Sequence, residues 1–188
     1  MKLFFDTEFT GLHKDTTLIS IGLVDMNGRT FYAEFSDYDE SQCDEWIKEN
    51  VIKNLSLGDY EHFQISRENT EVYGDKEFIR CHLKNWLSKY DEVELVSDVC
   101  HYDMVLFIDI FGGAFDLPKN INPSCHDINQ DIARFYSISE TGAFDKSRED
   151  ILKYFSKTIE GNKHNSLYDA KVIKEIYDII NFNNGSNR

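Results

Sequence analysis

The sequence has few of the residues that mark secreted or membrane-bound proteins. It contains two prolines, and its four cysteines are widely spaced with no CxxC pair. We therefore expect reduced thiols rather than a structural zinc site or a disulfide framework. No apolar run is long enough to cross a bilayer, and the N-terminus does not have the pattern of a secretory signal. These absences predict a cytoplasmic protein that does not associate with a membrane.

Positive charge is also scarce. There are 20 Lys and Arg residues against 34 Asp and Glu residues, which gives a net charge of −14. Broad, nonspecific binding of nucleic acid needs a basic surface, so this composition argues against that class of protein. It leaves open an enzyme that binds only a strand end, where bound cations supply the positive charge.

The composition is otherwise that of a folded protein. Hydrophobic residues make up 41% of the 188 residues and aromatic residues 14%, which is typical of a globular chain. The length suits one domain, and we found no internal repeat, linker or low-complexity tract. We expect a single domain over residues 1–182 and a frayed C-terminal tail over residues 183–188.

Hydrophobic periodicity predicts an α/β fold with a mixed sheet of about five strands flanked by helices. An N-terminal strand leads into Asp6 and Glu8, and Asn27-Gly28 predicts a tight turn between the second and third strands. The strands after the first are expected at residues 17–25, 29–35, 93–97 and 120–127. The helices are expected at residues 41–55, 75–90, 100–111, 128–136 and 147–155, and from residue 166 onward. Residues 56–74 have no clear period and are expected to be irregular.

The first strand ends in two carboxylates. Residues i and i+2 of a strand point to the same face, so Asp6 and Glu8 lie side by side and Thr7 points away. Two like charges this close repel each other unless a cation lies between them, and a hard divalent cation prefers such oxygen ligands. Taken alone, the pair is more typical of solvated acids at a strand end.

Two more acids fall in the first turn of a predicted helix. Asp103 follows a buried strand, where the helix dipole alone would favour an acid. Asp98 and Asp109 are alternatives to it. Asp169 follows Ser166 at capping-box spacing, so a capping role would also explain it.

A histidine precedes the last of these acids. His164 lies five residues before Asp169, in a loop, and by itself it is typical of a solvated loop histidine. A loop position would nonetheless let the imidazole lie over the same pocket as the acids. Its ordinary pKa near neutrality suits a general base.

Taken together and in order, these residues resemble the DEDDh branch of the DnaQ-like 3′-to-5′ exonucleases, which includes ribonuclease T and oligoribonuclease. The family's first motif, Asp-x-Glu followed by Thr-Gly-Leu, matches residues 5–12 (FDTEFTGL). Its aromatic-Asp pair matches Tyr102-Asp103, and its His-x-x-x-x-Asp matches His164 and Asp169. The first motif and residues 96–103 (VSDVCHYD) are most similar to a compact bacterial and phage exoribonuclease subgroup. The sequence departs from the family at Phe9, often a small or hydroxylated residue, and at Val99, often Asn.

The resemblance implies a ribonuclease H-like fold and a metal-dependent 3′-5′ exonuclease that releases nucleoside 5′-monophosphates. Its substrate would be a single-stranded 3′ end, RNA more than DNA. Two divalent cations, Mg²⁺ or Mn²⁺, would be held by the four acids, and His164 would act as the general base. The implied metal ligands are Asp6, Glu8, Asp103 and Asp169.

The same resemblance implies contacts to the terminal nucleotide. The backbone of Phe9 would meet the 3′-hydroxyl, Leu12 would wedge against the last base, and Tyr102 would provide a stacking surface. Apolar and aromatic residues of this kind are also common in cores and rims. Lys163 and Lys14 are candidates for phosphate contacts. Relatives such as ribonuclease T suggest a possible homodimer.

Three alternative functions stay open at this point. The nearest is a DNA-trimming or proofreading 3′-5′ exonuclease. The second is a catalytically silent relative that binds a nucleic acid or a protein partner. The third is an acidic metal-binding protein without nuclease activity.

Overall fold

The computed structural model describes residues 1–58 and 60–185, with side chains through residue 182. The strands are β1 (Lys2–Phe9), β2 (Leu18–Asp25), β3 (Thr30–Phe35), β4 (His62–Ser66), β5 (Asn69–Gly74), β6 (Val93–Ser97) and β7 (Ile121–Asp127). The helices are α1 (Glu45–Asn50), α2 (Lys76–Leu87), α3 (His101–Ile110), α4 (Ile128–Tyr136), α5 (Glu140–Phe144), α6 (Arg148–Tyr154) and α7 (Ser166–Gly185).

One mixed sheet holds these seven strands in the order β4-β5-β3-β2-β1-β6-β7. β1, β2 and β3 are antiparallel neighbours, whereas β6 is parallel to β1 and β7 is parallel to β6. The predicted α/β class with a mixed sheet is confirmed, and β1 lies inside the sheet between β2 and β6.

The predicted number of about five strands was too low. The two missing strands, β4 and β5, form an antiparallel hairpin within the stretch that we expected to be irregular. β4 is an edge strand and most of its residues are exposed, so no buried face imposes an alternating pattern on the sequence. Its turn uses Arg67 with a φ of 54° in place of glycine or asparagine, which removes the usual turn signal.

The helices predicted over residues 75–90, 100–111, 128–136 and 147–155, and from residue 166 onward, are present as α2, α3, α4, α6 and α7. The expected helix over residues 41–55 is broken into α1 and two 3₁₀ turns, Glu40–Gln42 and Ile52–Asn54. α1 begins where the Asp44 carboxylate accepts a hydrogen bond from the Ile47 N–H at 2.9 Å. The short helix α5 was not predicted.

The two faces of β1 pack against different helices. Leu3 and Phe5 belong to the core formed with α2 and α3, whereas Phe4 belongs to the core formed with α4, α6 and α7. Continuing this alternation, Asp6 and Glu8 share the face of Phe4 and point toward α7. Thr7 points to the α3 side, as predicted.

The C-terminal helix passes the expected end of the domain. α7 continues through residues 183–185, and the rest of the predicted tail, residues 186–188, lies outside the described residues. The division into one domain over residues 1–182 and a tail stays a prediction. Among the described helices, none is both long and apolar enough to span a bilayer.

Candidate active site

The side chains of Asp6 and Glu8 line the main cavity of the described structure, which has a volume of about 800 Å³. Both side chains are half-buried at the end of β1. The cavity is lined as well by Asp103 and Asp169, so the structure brings the four predicted acids to one place. Two of these acids are more than 90 residues from the β1 pair in the sequence, and the fold alone joins them.

Asp103 reaches the site from the opposite face of β1. Its Oδ1 accepts hydrogen bonds from the Thr7 N–H, at 3.0 Å, and from the Thr7 hydroxyl. Its Oδ2 accepts one from the Ser97 hydroxyl at 2.9 Å. Ser97 is the last residue of β6, the strand that leads to α3. The residue between the two β1 acids therefore fixes the third acid, which gives Thr7 a defined role.

Asp169 is positioned by close packing of α7 on β2. Gly22 is the cross-strand neighbour of Asp6, and a Cβ atom at Gly22 would overlap the backbone of Ser166 and Leu167. Beside it, the buried Ser20 and Ser166 hydroxyls share a hydrogen bond of 2.9 Å. The lack of a side chain at Gly22 thus allows the start of α7 to approach the sheet and to place Asp169 near Asp6.

The cap of α7 differs from the prediction. Ser166 is committed to β2, and the helix is capped instead by Asn165, whose Oδ1 accepts a hydrogen bond from the Tyr168 N–H at 3.1 Å. Asp169 Oδ2 accepts a hydrogen bond from the His164 N–H at 2.9 Å. The cap is therefore one residue earlier than Ser166. Asp169 is the fourth residue after this cap and bonds the N–H of the residue before it, so this bond differs from the reciprocal bond of a capping box, which joins the third residue to the cap itself.

A buried polar network supports this cap. The Asn165 amide donates to the Tyr32 hydroxyl at 3.0 Å, and that hydroxyl donates to Glu34 Oε1 at 2.7 Å. Glu34 also accepts hydrogen bonds from the N–H groups of Ser56 and Leu57. The loop before α7 is thereby fixed to β3.

His164 lies over the acids, as predicted for a loop histidine at this site. One ring nitrogen of His164 and carboxylate oxygens of Glu8 and Asp169 all lie within 4.8 Å of one another. The ring contacts Trp46 of α1 edge-on, with centroids 4.9 Å apart. Burial and the nearby Lys163 ammonium lower the pKa of His164, so the imidazole is neutral at neutral pH and can accept a proton.

Burial raises the pKa of all four acids, and repulsion from neighbouring carboxylates adds to it. Burial, and then the charges of Asp103 and Asp169, raise the pKa of Asp6 well above its usual value. The same causes raise the pKa of Glu8 to about 8. Burial raises the pKa of Asp169 to about 7 and that of Asp103 to about 6, the latter against the opposing hydrogen bonds from Thr7 and Ser97. Perturbed carboxylates clustered in a cavity are typical of a functional site.

The donor set fits divalent cations. Among the described residues, no lysine or arginine forms an ion pair with any of the four carboxylates. The nearby Lys163 ammonium offsets the raised pKa of Asp169 only in part. Hard oxygen ligands that converge in one cavity are what Mg²⁺ and Mn²⁺ prefer. His164 is close enough to Glu8 and Asp169 to be tested as a ligand as well as a base.

The three residues expected to contact the terminal nucleotide also line the cavity. The Phe9 and Tyr102 rings stack on each other, with centroids 5.3 Å apart and planes at 19°. Leu12 is 79% exposed. Phe9, which departs from the family pattern, thus braces Tyr102.

The alternative candidates lie in different places. Asp98 lines the cavity but is paired with Arg148, whereas Asp109 is exposed and bonded to Lys76 at 3.1 Å. Of the two lysines proposed for phosphate contacts, Lys163 lines the cavity and Lys14 does not.

Sequence reasoning missed three residues of the site: Trp46, Arg148 and Gly22. Trp46 falls within the helix predicted over residues 41–55, where its spacing is simply that of a helix, yet it is 53% exposed and lines the cavity. Gly22 interrupts an otherwise β-branched and apolar strand, which could have indicated a close backbone approach. No local sequence signal distinguishes Arg148 from a surface arginine.

Residues 1–180 match the family described as the 3′-5′ exoribonuclease Rv2179c-like domain. The chain belongs to this family. A named relative, the 3′-5′ exoribonuclease Rv2179c of Mycobacterium tuberculosis H37Rv, is 28% identical over 131 residues, which cover 69% of this chain and 73% of the relative. The predicted enzyme class, a 3′-5′ exonuclease, is thereby confirmed at the level of the family.

Solved structures share the fold of this family member. The nuclease domain of 3′hExo, described as a DEDDh family member bound to rAMP, has a TM-score of 0.63 at 15% identity, covering 97% of this chain and 92% of that one. Schizosaccharomyces pombe Pop2p, in its Mg²⁺- and Mn²⁺-bound form, has a TM-score of 0.62 at 16% identity, covering 95% and 82%. The resemblance to DEDDh exonucleases and the expected ribonuclease H-like architecture are confirmed.

The second departure from the family pattern has a structural consequence. Val99 adopts a φ of 57° in the turn before α3. Asn tolerates this left-handed conformation far better than a β-branched residue does. The backbone next to Tyr102 and Asp103 is therefore strained where the family often has Asn.

Proposed function

We propose that this protein is a metal-dependent 3′-5′ exoribonuclease that removes nucleoside 5′-monophosphates from single-stranded 3′ ends. The observation that carries the proposal is the convergence of Asp6, Glu8, Asp103 and Asp169 in one cavity, without a cationic side chain paired to any of them among the described residues. His164 completes the set as a neutral base beside Glu8 and Asp169.

Two divalent cations, Mg²⁺ or Mn²⁺, would be held by these four carboxylates. When bound, such a pair stabilises the attacking and leaving oxygens of an in-line displacement at phosphorus. The chain itself supplies the ligands in a fixed arrangement: Thr7 and Ser97 orient Asp103, and the His164 N–H orients Asp169.

His164 takes the proton from the attacking water in this proposal. Its lowered pKa keeps the ring unprotonated at neutral pH, which a general base requires. Trp46 limits the positions open to the ring because it packs edge-on against it. The positive φ of His164, 64°, directs the loop over the acids.

The terminal nucleotide would lie against Phe9, Leu12 and Tyr102. The Tyr102 ring already stacks on Phe9, so it offers a fixed aromatic surface, and aromatic stacking tolerates any base. The preference for RNA over DNA rests on the family; it would be exerted through contacts to the 2′-hydroxyl.

The test uses 5′-labelled RNA and DNA oligonucleotides of the same sequence, with Mg²⁺, with Mn²⁺ and with chelator. We expect a ladder shortened from the 3′ end, dependent on the metal and faster for RNA. Faster degradation of DNA would favour the trimming or proofreading alternative. A wild-type protein that binds the strand without shortening it would favour the catalytically silent alternative.

Two variants test the proposed metal site and its general base. Asp6→Asn is expected to abolish release of nucleoside monophosphates while the protein stays folded. His164→Ala is expected to lower kcat by about 10²–10⁴-fold, as for loss of a general base, with little change in Mn²⁺ affinity. A collapse of Mn²⁺ affinity in His164→Ala would instead make His164 a metal ligand.

Homodimerisation and cytoplasmic location stay predictions. The free edge of β4, with Phe63 and Ile65 partly exposed, is a surface on which a second copy could add a strand. Light scattering across a range of protein concentrations would give the mass in solution.

A further inference from the structure

The cavity has two walls, one on each side of β1 in the sheet. The first is α1, which packs on Ile19 of β2 and presents Trp46. The second is residues 143–148, which run from the end of α5 to the start of α6 and which we call the α5–α6 wall. It is bonded to Asp98, directly after β6. Because β2 and β6 are the two neighbours of β1, the two walls flank the acids on opposite sides.

Arg148 holds the α5–α6 wall in place with every donor it has. Its guanidinium bonds Asp98 through two nitrogens, at 2.7 and 2.9 Å, and the Asn129 side chain at 2.6 Å. It also donates to the carbonyls of Ala143, at 2.8 Å, and Lys146, at 2.6 Å. All five N–H groups of the guanidinium are used. Arg148 is therefore not available to bind a phosphate, and its role is to position the wall.

The wall contributes an aromatic residue, Phe144, and a lysine, Lys146, to the lining of the cavity. Phe144 is 59% exposed, and none of the ring contacts among the described residues involves it. The Lys146 ammonium lies 4.4 Å from the centroid of the Tyr136 ring and forms no ion pair with any described residue. Asp145, between them, also lines the cavity, so the wall is not simply basic.

The opposite wall is less suited to an upstream nucleotide. Trp46 is already in edge contact with His164, and Asp44 adds a negative charge at that side of the cavity. Asp44 and Asp145 put an acid on each wall, so what distinguishes the α5–α6 wall is the exposed ring of Phe144 and a lysine, Lys146, that forms no ion pair with any described residue. A strand of nucleic acid combines the two groups that such a surface binds, a base and a phosphate.

We propose that the α5–α6 wall is the subsite for the second nucleotide from the 3′ end, whose base stacks on Phe144 and whose 5′ phosphate pairs with Lys146. This subsite rests on the proposed exonuclease function and concerns how the same cavity binds its substrate. It makes affinity depend on the nucleotide upstream of the bond that is cleaved. Phe144 and Lys146 are binding residues here, and Arg148 is a positioning residue.

The test uses an RNA pentanucleotide and two altered forms of it. One form lacks the base of the second nucleotide from the 3′ end. The other has a neutral methylphosphonate between the second and third nucleotides from that end. Release of the terminal nucleoside monophosphate is measured for the wild type, Phe144→Ala, Phe144→Trp, Lys146→Gln and Lys146→Arg. Phe115→Ala, which removes a fully exposed aromatic ring outside the cavity, is the matched control.

Removing the base is expected to raise the KM of the wild type by roughly 10-fold, the size of one stacking contact. In Phe144→Ala the same removal should have little further effect, because both changes delete one interaction. Phe144→Trp should keep the sensitivity to the base. Lys146→Gln should reduce the salt dependence of log KM by about 0.7, as for one phosphate contact on a single strand. Lys146→Gln should also give the same KM for the phosphate and the methylphosphonate substrates. Lys146→Arg should keep the difference in KM between them.

If removal of the base raises KM by the same factor in the wild type and in Phe144→Ala, the base does not stack on Phe144. An unchanged methylphosphonate effect in Lys146→Gln would overturn the phosphate contact. A wild-type protein that releases no nucleoside monophosphate from the unaltered pentanucleotide would instead refute the exonuclease function itself, and the subsite with it.

Discussion

A Gly22→Ala substitution is expected to move the start of α7 away from β1 and to lower the catalytic rate. Gly22 lies beside Asp6 in the sheet, and the backbone of Ser166 and Leu167 occupies the space where a side chain would be. An added methyl group overlaps backbone atoms of a helix start, which cannot rotate out of the way as a side chain can.

The size of the effect follows from this overlap. Carbon atoms pack at about 3.5–4.0 Å, so α7 must shift by about 1 Å or more to accept the methyl group. Overpacking of this kind lowers the free energy of unfolding by about 1–3 kcal/mol. A displacement of about 1 Å between Asp169 and Asp6 is expected to lower kcat by about 10²-fold. The shift also stretches the hydrogen bond between Ser20 and Ser166.

The assay compares kcat on 5′-labelled RNA at saturating Mn²⁺, Mn²⁺ affinity by calorimetry, and the free energy of unfolding in urea. Gly74→Ala is the matched control, because Gly74 is a strand glycine of β5 outside the cavity. Its added methyl would lie 2.8 Å from Cδ1 of Phe78, a side chain that can move. We expect the control to lose stability without losing kcat.

A folded Gly22→Ala protein with wild-type kcat and wild-type Mn²⁺ affinity would refute this reasoning. It would mean that α7 accommodates the methyl group without moving Asp169, or that Asp169 does not need its position. Loss of kcat to the same degree in Gly74→Ala would show that the effect is general destabilisation.

Three further predictions concern stability. In metal-free protein, Glu8, with its pKa raised to about 8, keeps a proton in the folded state that the unfolded chain has released. The contribution of Glu8 to the free energy of unfolding is therefore full below the pKa of the unfolded chain and is lost as pH rises toward 8, by about 1.4 kcal/mol per pH unit. In the presence of chelator, Glu8→Gln should make the free energy of unfolding fall less steeply with pH. An unchanged slope would contradict the raised pKa of Glu8. Val99→Asn should relieve the left-handed backbone and raise the free energy of unfolding by about 1 kcal/mol, and a lower melting temperature would count against strain at this turn. Arg148→Met leaves Asp98 without a cationic partner and should lower the free energy of unfolding in urea by about 3 kcal/mol. A loss under about 1 kcal/mol would make the pair no stronger than a surface ion pair.

The expected site residues could be found from the sequence because each has a local signature. The alternation of a strand put Asp6 and Glu8 on one face, and the starts of two helices marked Asp103 and Asp169. Burial on both faces of β1 and β2 made these strands easy to predict. The edge strand β4 was missed because it is mostly exposed, so its sequence carries no alternation.

Other features depend on contacts between distant parts of the chain. Asn165 caps α7 because Ser166 is held by Ser20, 146 residues away, and no local rule could choose between the two caps. Trp46 faces the cavity because α1 packs beside the loop of His164.

The sequence by itself determined the identity and order of the acids, the histidine that follows them and the α/β pattern of the chain. These are properties of short stretches, where side-chain direction depends on helix and strand period alone. Only the tertiary structure decided how near the acids come to one another, which way their pKa values shift and which side chains form the walls around them. Those quantities depend on through-space distance, on burial and on the close approach of α7 to Gly22, and none of them is encoded within a single stretch.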